Sequence, residues 1–258
     1  MRLYPRTRRR RDPTGSMTVV EHLEELRKRI VIALIAVAVG AIAGWALYPF
    51  VVKLLIHSYA QACKALPTHV KPPIHCDTLI VTGVIEPFIV RFKVSVFTGF
   101  AIALPVVLFQ LWRFITPGLT RTERRMAVPF VLSSVVLFSL GALFAYLTLP
   151  KGLHFLLGFA GQSLVVLPSA TRYFSFVMLL VLAFGISFEF PLLLIFLAWV
   201  RVVPSTRLRK WRRMAILVIT IFAAVITPSQ DPYTQLAMMI PMIVFYELAI
   251  VVARLLKR

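Results

Sequence analysis

The stretch LVLAFGISFEFPLLLIFLAW, residues 180–199, is apolar along almost its whole length, yet Glu189 sits inside it, two residues before Pro191. Twenty such residues cross a hydrocarbon core of roughly 30 Å as a helix. In a soluble protein this would be a core helix. In lipid the carboxyl becomes a costly group that needs a reason. The rest of the chain decides between the two settings. Of its 258 residues 59% are hydrophobic, far above the share in an ordinary soluble domain. Six apolar runs stand out, at about 30–50, 88–112, 127–150, 173–199, 214–226 and 236–253. Four are long enough to span, the sixth is marginal and the fifth is short. The reading is an all-α polytopic membrane protein with six transmembrane helices. It divides into a disordered basic tail (1–15), one membrane domain (16–254) and a short C-terminal tail (255–258). The first run is too long for a signal-peptide core and lacks a small-residue cleavage site, so it reads as a retained anchor.

The formal charge of +19 points to nucleic acid only if the basic residues form a binding face. They do not; they follow topology. With the N-terminus in the cytoplasm and six spans, 22 of the 29 Lys and Arg fall on the cytoplasmic side and 7 on the other. That bias places both termini in the cytoplasm. The tail RTRRRRDPTG reads as a solvated basic segment near anionic headgroups. Thr18 and Glu21 form a capping box, so a helix is expected to begin there and run into the first span.

Beyond Tyr48-Pro49 lies an outer segment, 51–86. Its first half, FVVKLLIHSYAQACKAL, looks amphipathic and is expected in the interface. Pro67, Pro72 and Pro73 make the next stretch irregular. The only two cysteines, Cys63 and Cys76, fall in this outer segment. On an oxidising side they suggest a disulfide. Free thiols, or a metal site shared with His69 and His75, are the other readings, although the spacing matches no zinc pattern. A second outer loop is expected over KGLHFLLGFAGQSLVVLPSAT. The fifth run spans only about 20 Å, and TPSQDPYTQ then puts Asp231 and two prolines where one leaflet should be.

No phosphate-binding glycine loop, nucleophile elbow, HExxH or paired intramembrane carboxylates are present, so no enzyme and no cofactor is expected. The ten acidic residues carry more information. Glu24 and Glu25 each have a basic residue four positions on, Lys28 and Arg29, in the order that favours a helix-surface ion pair. Exposed carboxylates in a basic field also suit an arginine-bearing peptide, since guanidinium and carboxylate pair bidentately. Glu123, among Arg121, Arg124 and Arg125, has the same two readings.

Four motifs occur in order across residues 16–254: HLEELRKR, PVVLFQLWRFITPGLTRTERR, FGISFEFP and TPSQDPYTQ. Together they resemble the TatC subunit family of twin-arginine translocases. The resemblance implies a receptor for twin-arginine signal peptides on folded precursors, working with TatA-like and TatB-like single-span partners. It further implies export driven by the proton-motive force across a bacterial-type cytoplasmic membrane. Carried over, Glu25 and Glu123 match the carboxylates of the signal-peptide site, with Phe114 and Pro117 beside it and Arg27 in the same N-terminal motif. Glu189 matches a buried carboxyl that meets a partner helix, and Asp231 matches the acid of the last outer turn. The cysteine pair and proline-rich insert are not general features of the family.

If the fourth helix covers 173–199, Glu189 lies about 24 Å from one end and about 15 Å from the other. A carboxylate at such depth costs roughly 2.5–3.5 kcal/mol on insertion scales. Either it is neutral and bonded to a neighbour such as Ser187, or it lines a groove and meets a partner's polar side chain. Six helices forming a curved, concave wall would provide that groove. A proton-coupled transporter using Glu189 and Glu247 as relay groups is the alternative.

Overall fold

The computed structural model describes residues 19–67, 75–115, 127–159, 167–199, 203, 205–229 and 231–255. The expected tail 1–15, Thr18, His69, Pro117, Glu123 and residues 256–258 lie outside them. Among the described residues there are seven helices. They are α1 Val19–Lys64, α2 Glu86–Ile115, α3 Ala127–Gly158, α4 Ala170–Trp199, α5 Ser205–Lys210, α6 Arg212–Ile226 and α7 Pro232–Leu255. The one β feature there is an isolated parallel bridge, Ile80 with Ser169.

Five of these helices, α1 to α4 and α7, are long and apolar enough to cross a membrane. The fifth run of the sequence becomes α6, whose 15 residues reach only about 22 Å. It packs beside α7, with Ile219 and Ala223 buried in the main core. Half of the most apolar window of α4 is buried against 11% for α1. α4 is therefore the central helix, and most of α1 faces its surroundings. The side of the molecule that carries the start of α1 is called the near face below, and the opposite side the far face.

The expectation that the first helix ends near Pro49 is wrong. α1 continues through Pro49 for 46 residues in all, roughly 69 Å, twice the thickness of a hydrocarbon core. Proline removes one ladder bond and bends a helix, but packing can carry the helix across it. Here Leu55, Tyr59, Ala62 and Cys63 enter the main core beyond the proline. Two tyrosines hold this extension, the Tyr146 hydroxyl donating to the Leu54 carbonyl (3.1 Å) and that of Tyr173 to the Leu55 carbonyl (2.6 Å). The segment is thus a continuation of α1 with one face buried in the core and the other exposed. α3 likewise runs through Pro150 to Gly158, taking up the first part of the expected second loop.

Two covalent or polar ties close the far face. Cys63 and Cys76 form a disulfide with Cα atoms 5.6 Å apart, which removes the free-thiol and metal readings. Glu86, which the sequence reading passed over, is buried and accepts four hydrogen bonds. Thr82 gives its N–H (2.6 Å) and hydroxyl (2.9 Å) to one oxygen, while Ser169 Oγ (2.6 Å) and Thr171 N–H (3.0 Å) reach the other. A buried carboxylate so fully bonded fixes its surroundings. Here it stitches the start of α2 to the start of α4, beside the Ile80–Ser169 bridge.

α1 and α2 meet through glycine. A Cβ built on Gly40 would stand 2.5 Å from the Gly99 carbonyl oxygen. One on Gly99 would strike the Ala41 backbone, and one on Gly44 the Ser95 carbonyl. Small residues let transmembrane backbones approach this closely. Gly99→Leu must push α1 away from α2 at a cost of about 2 kcal/mol or more. The thermal midpoint in detergent is expected to fall by several degrees, read by tryptophan fluorescence against wild type.

Candidate functional site

At the near face, the first turns of α1 face the last turns of α2. Arg29 Nη2 donates to Glu25 Oε1 at 2.8 Å, the i,i+4 pair expected from the sequence. Arg29 Nη1 also donates to Gln110 Oε1 on α2, at 3.2 Å. This ties the carboxylate's partner to the second helix. Glu25 Oε2 is shielded from solvent and has no hydrogen-bond partner among the described residues, and neither has Arg29 Nε. The His22 ring stacks on Phe114, centroids 4.3 Å apart and 19° from parallel. A hollow of about 160 Å³ lies alongside, lined by Leu26, Arg29, Gln110 and Phe114 with apolar neighbours.

The structure therefore brings Glu25 and Phe114 to one place and leaves Arg27 on the exposed side of α1. Gln110 and His22 complete the cluster, and the sequence reading missed both. Gln110 had a signal: a polar residue inside an apolar run, four positions before Phe114 and so on the same helix face. Chemically, a half-paired carboxylate is a good acceptor for a second guanidinium. Leaving a buried oxygen unbonded costs roughly 1–3 kcal/mol, which an incoming donor recovers.

Glu189 lies deeper along the bundle, where α2, α3 and α4 meet. Trp112 Nε1 on α2 donates to Ser134 Oγ on α3 at 2.9 Å. Ser134 and Glu189 line the same pocket, so this hydroxyl stands on the carboxyl's side of the α3–α4 contact. Glu189 Oε1 is shielded and unpartnered among the described residues. Ser187 lines that pocket as well, but its hydroxyl does not bond the carboxyl. Ser187 instead donates to the Ala183 carbonyl (2.7 Å) and contacts Met238 Sδ on α7 (3.5 Å). A pocket of about 350 Å³ opens beside Glu189, walled by Leu108, Trp112, Ile186, Phe190, Phe196 and Phe222. Among the described residues Glu189 is the one ionisable side chain that lines it.

Asp231 precedes α7 and is buried. Its Oδ1 accepts the Thr234 N–H (2.8 Å), its Oδ2 the Thr234 hydroxyl, and its backbone carbonyl the Gln235 N–H (3.0 Å). With Pro232 next, this is a helix N-cap, favoured by both its hydrogen bonds and the helix dipole. Its visible work is to hold the turn between α6 and α7. Glu247 is spoken for by Arg212 (2.5 Å), a partly exposed pair across α6 and α7, and does not line the Glu189 pocket. Among the described residues no group of three His, Cys, Asp or Glu is placed to hold a metal ion.

A polar near-face cluster and one deep carboxyl on an all-helical bundle set what a relative must share. The family model for the Sec-independent protein translocase protein (TatC) matches residues 21–241. This chain belongs to the TatC family. It is 43% identical over 257 residues to the TatC protein of Frankia casuarinae, covering 99% of this chain and 70% of that one. To the Aquifex aeolicus protein it is 38% identical, covering 94% and 97%. It spans 64% of the length of the Corynebacterium kroppenstedtii relative, to which it is 37% identical over 96% of this chain. A crystal structure described as the twin arginine translocase receptor TatC superposes with a TM-score of 0.73 at 37% identity, over 92% of this chain and all of that one. Another of TatC in the detergent DDM gives 0.71 at 39% identity, over 90% and 98%. The chain is a multi-pass membrane protein of a protein-translocase family, a translocase component and not an enzyme.

Proposed function

We propose that this TatC family member is the receptor subunit that binds twin-arginine signal peptides of folded precursors at the near-face cluster. In this reading the near face is cytoplasmic, both termini lie there, and α6 counts as a sixth, short span. The excess of Lys and Arg on that side supports the orientation. The membrane is the bacterial-type cytoplasmic membrane. Residues 16–254 act as one domain, a concave wall of helices, with the basic segment 1–15 and the last residues 255–258 as tails near anionic lipid.

The observation that carries the proposal is the Glu25 carboxylate, one oxygen paired with Arg29 and the other shielded but unbonded, beside the His22–Phe114 stack. One arginine of the peptide reaches the unbonded oxygen of Glu25 or displaces Arg29, and Glu123 takes the other. Phe114 gives an apolar face for the peptide stem, and Pro117 and Arg27 are assigned to the same site by the family resemblance alone. Glu189, in its apolar pocket, accepts a hydrogen bond from a polar side chain on the transmembrane helix of a TatA-like or TatB-like partner. Such partners assemble into a hetero-oligomer, and the proton-motive force drives translocation. The 15-residue α6 and the turn capped by Asp231 thin the bilayer beside that wall.

Purified protein is expected to retain an immobilised twin-arginine peptide at least tenfold better than its Lys-Lys version. Lysine lacks the planar fork that pairs both carboxylate oxygens. Equal retention of the two peptides contradicts the proposal.

A further inference from the structure

We propose that the groove between α1, α2 and α4 binds an anionic phospholipid of the far-face leaflet, with its phosphate held at Lys93 and Ser175. The groove measures about 690 Å³, and its walls are almost wholly apolar, with Leu34, Val37, Phe97, Phe100, Met178 and Leu182 among them. Lys93 and Ser175 supply its polar end, Lys93 Nζ donating to Ser175 Oγ at 3.1 Å.

Lys93 is seven residues inside α2 and Ser175 five inside α4, about 10 Å and 8 Å from the far-face ends of those helices. An ammonium this far into an apolar surface is costly unless an anion meets it or its stem carries it to the interface. Among the described residues its only hydrogen-bond partner is the neutral hydroxyl of Ser175, and no carboxylate pairs with it. Arg91, two residues away, is shielded, its guanidinium lying 4.5 Å from the Trp45 ring centroid and 5.3 Å from that of Tyr48. Lys93 has no such cover. The charge calls for an anion at the lipid-phosphate end of an apolar slot.

Shape selects the occupant. The groove falls in the size range of small-ligand sites, roughly 300–1,000 Å³. A twenty-residue helix fills roughly 2,400 Å³, so it would rest on the rim rather than enter. An acyl chain fits the slot, and Ser175 Oγ, already beside the ammonium, can donate its own proton to a phosphate oxygen. The depth of Lys93 lets its flexible stem meet a phosphate drawn slightly inward. This inference rests on the groove and the lysine alone, independent of signal-peptide binding.

The test reconstitutes the full chain in nanodiscs of mixed phosphatidylglycerol and phosphatidylcholine, then counts retained lipids by native mass spectrometry. Wild type is expected to keep phosphatidylglycerol about fivefold over phosphatidylcholine, the preference one lysine near a headgroup provides. Lys93→Gln should bring that ratio near one, while Lys93→Arg keeps it. Val96→Phe, which fills the groove, should lower retention of both lipids with Lys93 intact. A Lys151→Gln control, at a far-face lysine outside the groove, should change nothing. Unchanged selectivity in Lys93→Gln overturns the site, as does an equal loss in the control. Site-specific crosslinking from position 93 to another protein's helix, with no retained lipid, would assign the groove to a partner instead.

Discussion

Export of a twin-arginine precursor is expected to fall at least about thirtyfold in Glu25→Ala and below detection in Glu25→Ala/Glu123→Ala. The magnitude follows from the charge pair being removed. Truncating one member of a desolvated, hydrogen-bonded pair costs about 2–5 kcal/mol, because the other charge is left unmet. The same substitution should leave the protein itself nearly untouched. An i,i+4 Glu–Arg pair stabilises a helix by only a few tenths of a kcal/mol, and Gln110 still holds Arg29. Membrane abundance on a blot, beside a periplasmic reporter for export, separates the two effects. If export and abundance fall together, Glu25 is a structural residue. If neither falls, the receptor assignment goes with it.

Glu189 should show the opposite balance between stability and function. Burying a carboxyl with one oxygen unbonded weakens the bundle, so Glu189→Leu is expected to raise the thermal midpoint in detergent by a few degrees. Copurification of a TatA-like or TatB-like partner should nonetheless be lost. Glu189→Gln keeps a side chain able to bond Ser134 and should retain partial assembly. Crosslinking from Glu189→Cys should reach a partner's transmembrane helix. A Glu189→Leu protein that is less stable yet assembles normally would make the carboxyl a structural group tied to Ser134 and Trp112. The transporter alternative used Glu189 as its relay group with Glu247 as a second, and Glu247 pairs with Arg212 away from the Glu189 pocket.

The fold was largely legible because lipid imposes a simple rule, that long apolar runs become helices. What the sequence hid came from tertiary packing. Pro49 and Pro150 looked like helix ends, yet both helices run on, since buried contacts beyond the proline outweigh one lost ladder bond. The cysteine pair was readable from compartment logic and proved to be a disulfide. Glu86 was not readable, because its role depends on Ser169 and Thr171, more than eighty residues away.

The sites divide the same way. Glu25 with Arg29 is a local i,i+4 pattern that sequence shows directly, whereas the link to Gln110 requires knowing that α1 packs on α2. Glu189 announced itself as a lone carboxyl in an apolar run. Ser187, named as its neighbour, donates to the Ala183 carbonyl instead, and Ser134, the pocket's other hydroxyl among the described residues, lies on another helix. Asp231 was flagged by resemblance, and the structure adds its capping role, legible afterwards in the Asp-Pro-Tyr-Thr order.

The central claim is that Glu25 meets an arginine of another chain, and a double-mutant cycle tests it most directly. Peptide affinity would be measured for wild type and Glu25→Gln, each against the twin-arginine peptide and a version with one arginine replaced by citrulline, which keeps the shape and loses the charge. The account predicts a coupling of about 1.5–3 kcal/mol for one of the two arginines. Additive losses at both positions, within about 0.3 kcal/mol, would contradict it and leave Glu25 as the private partner of Arg29.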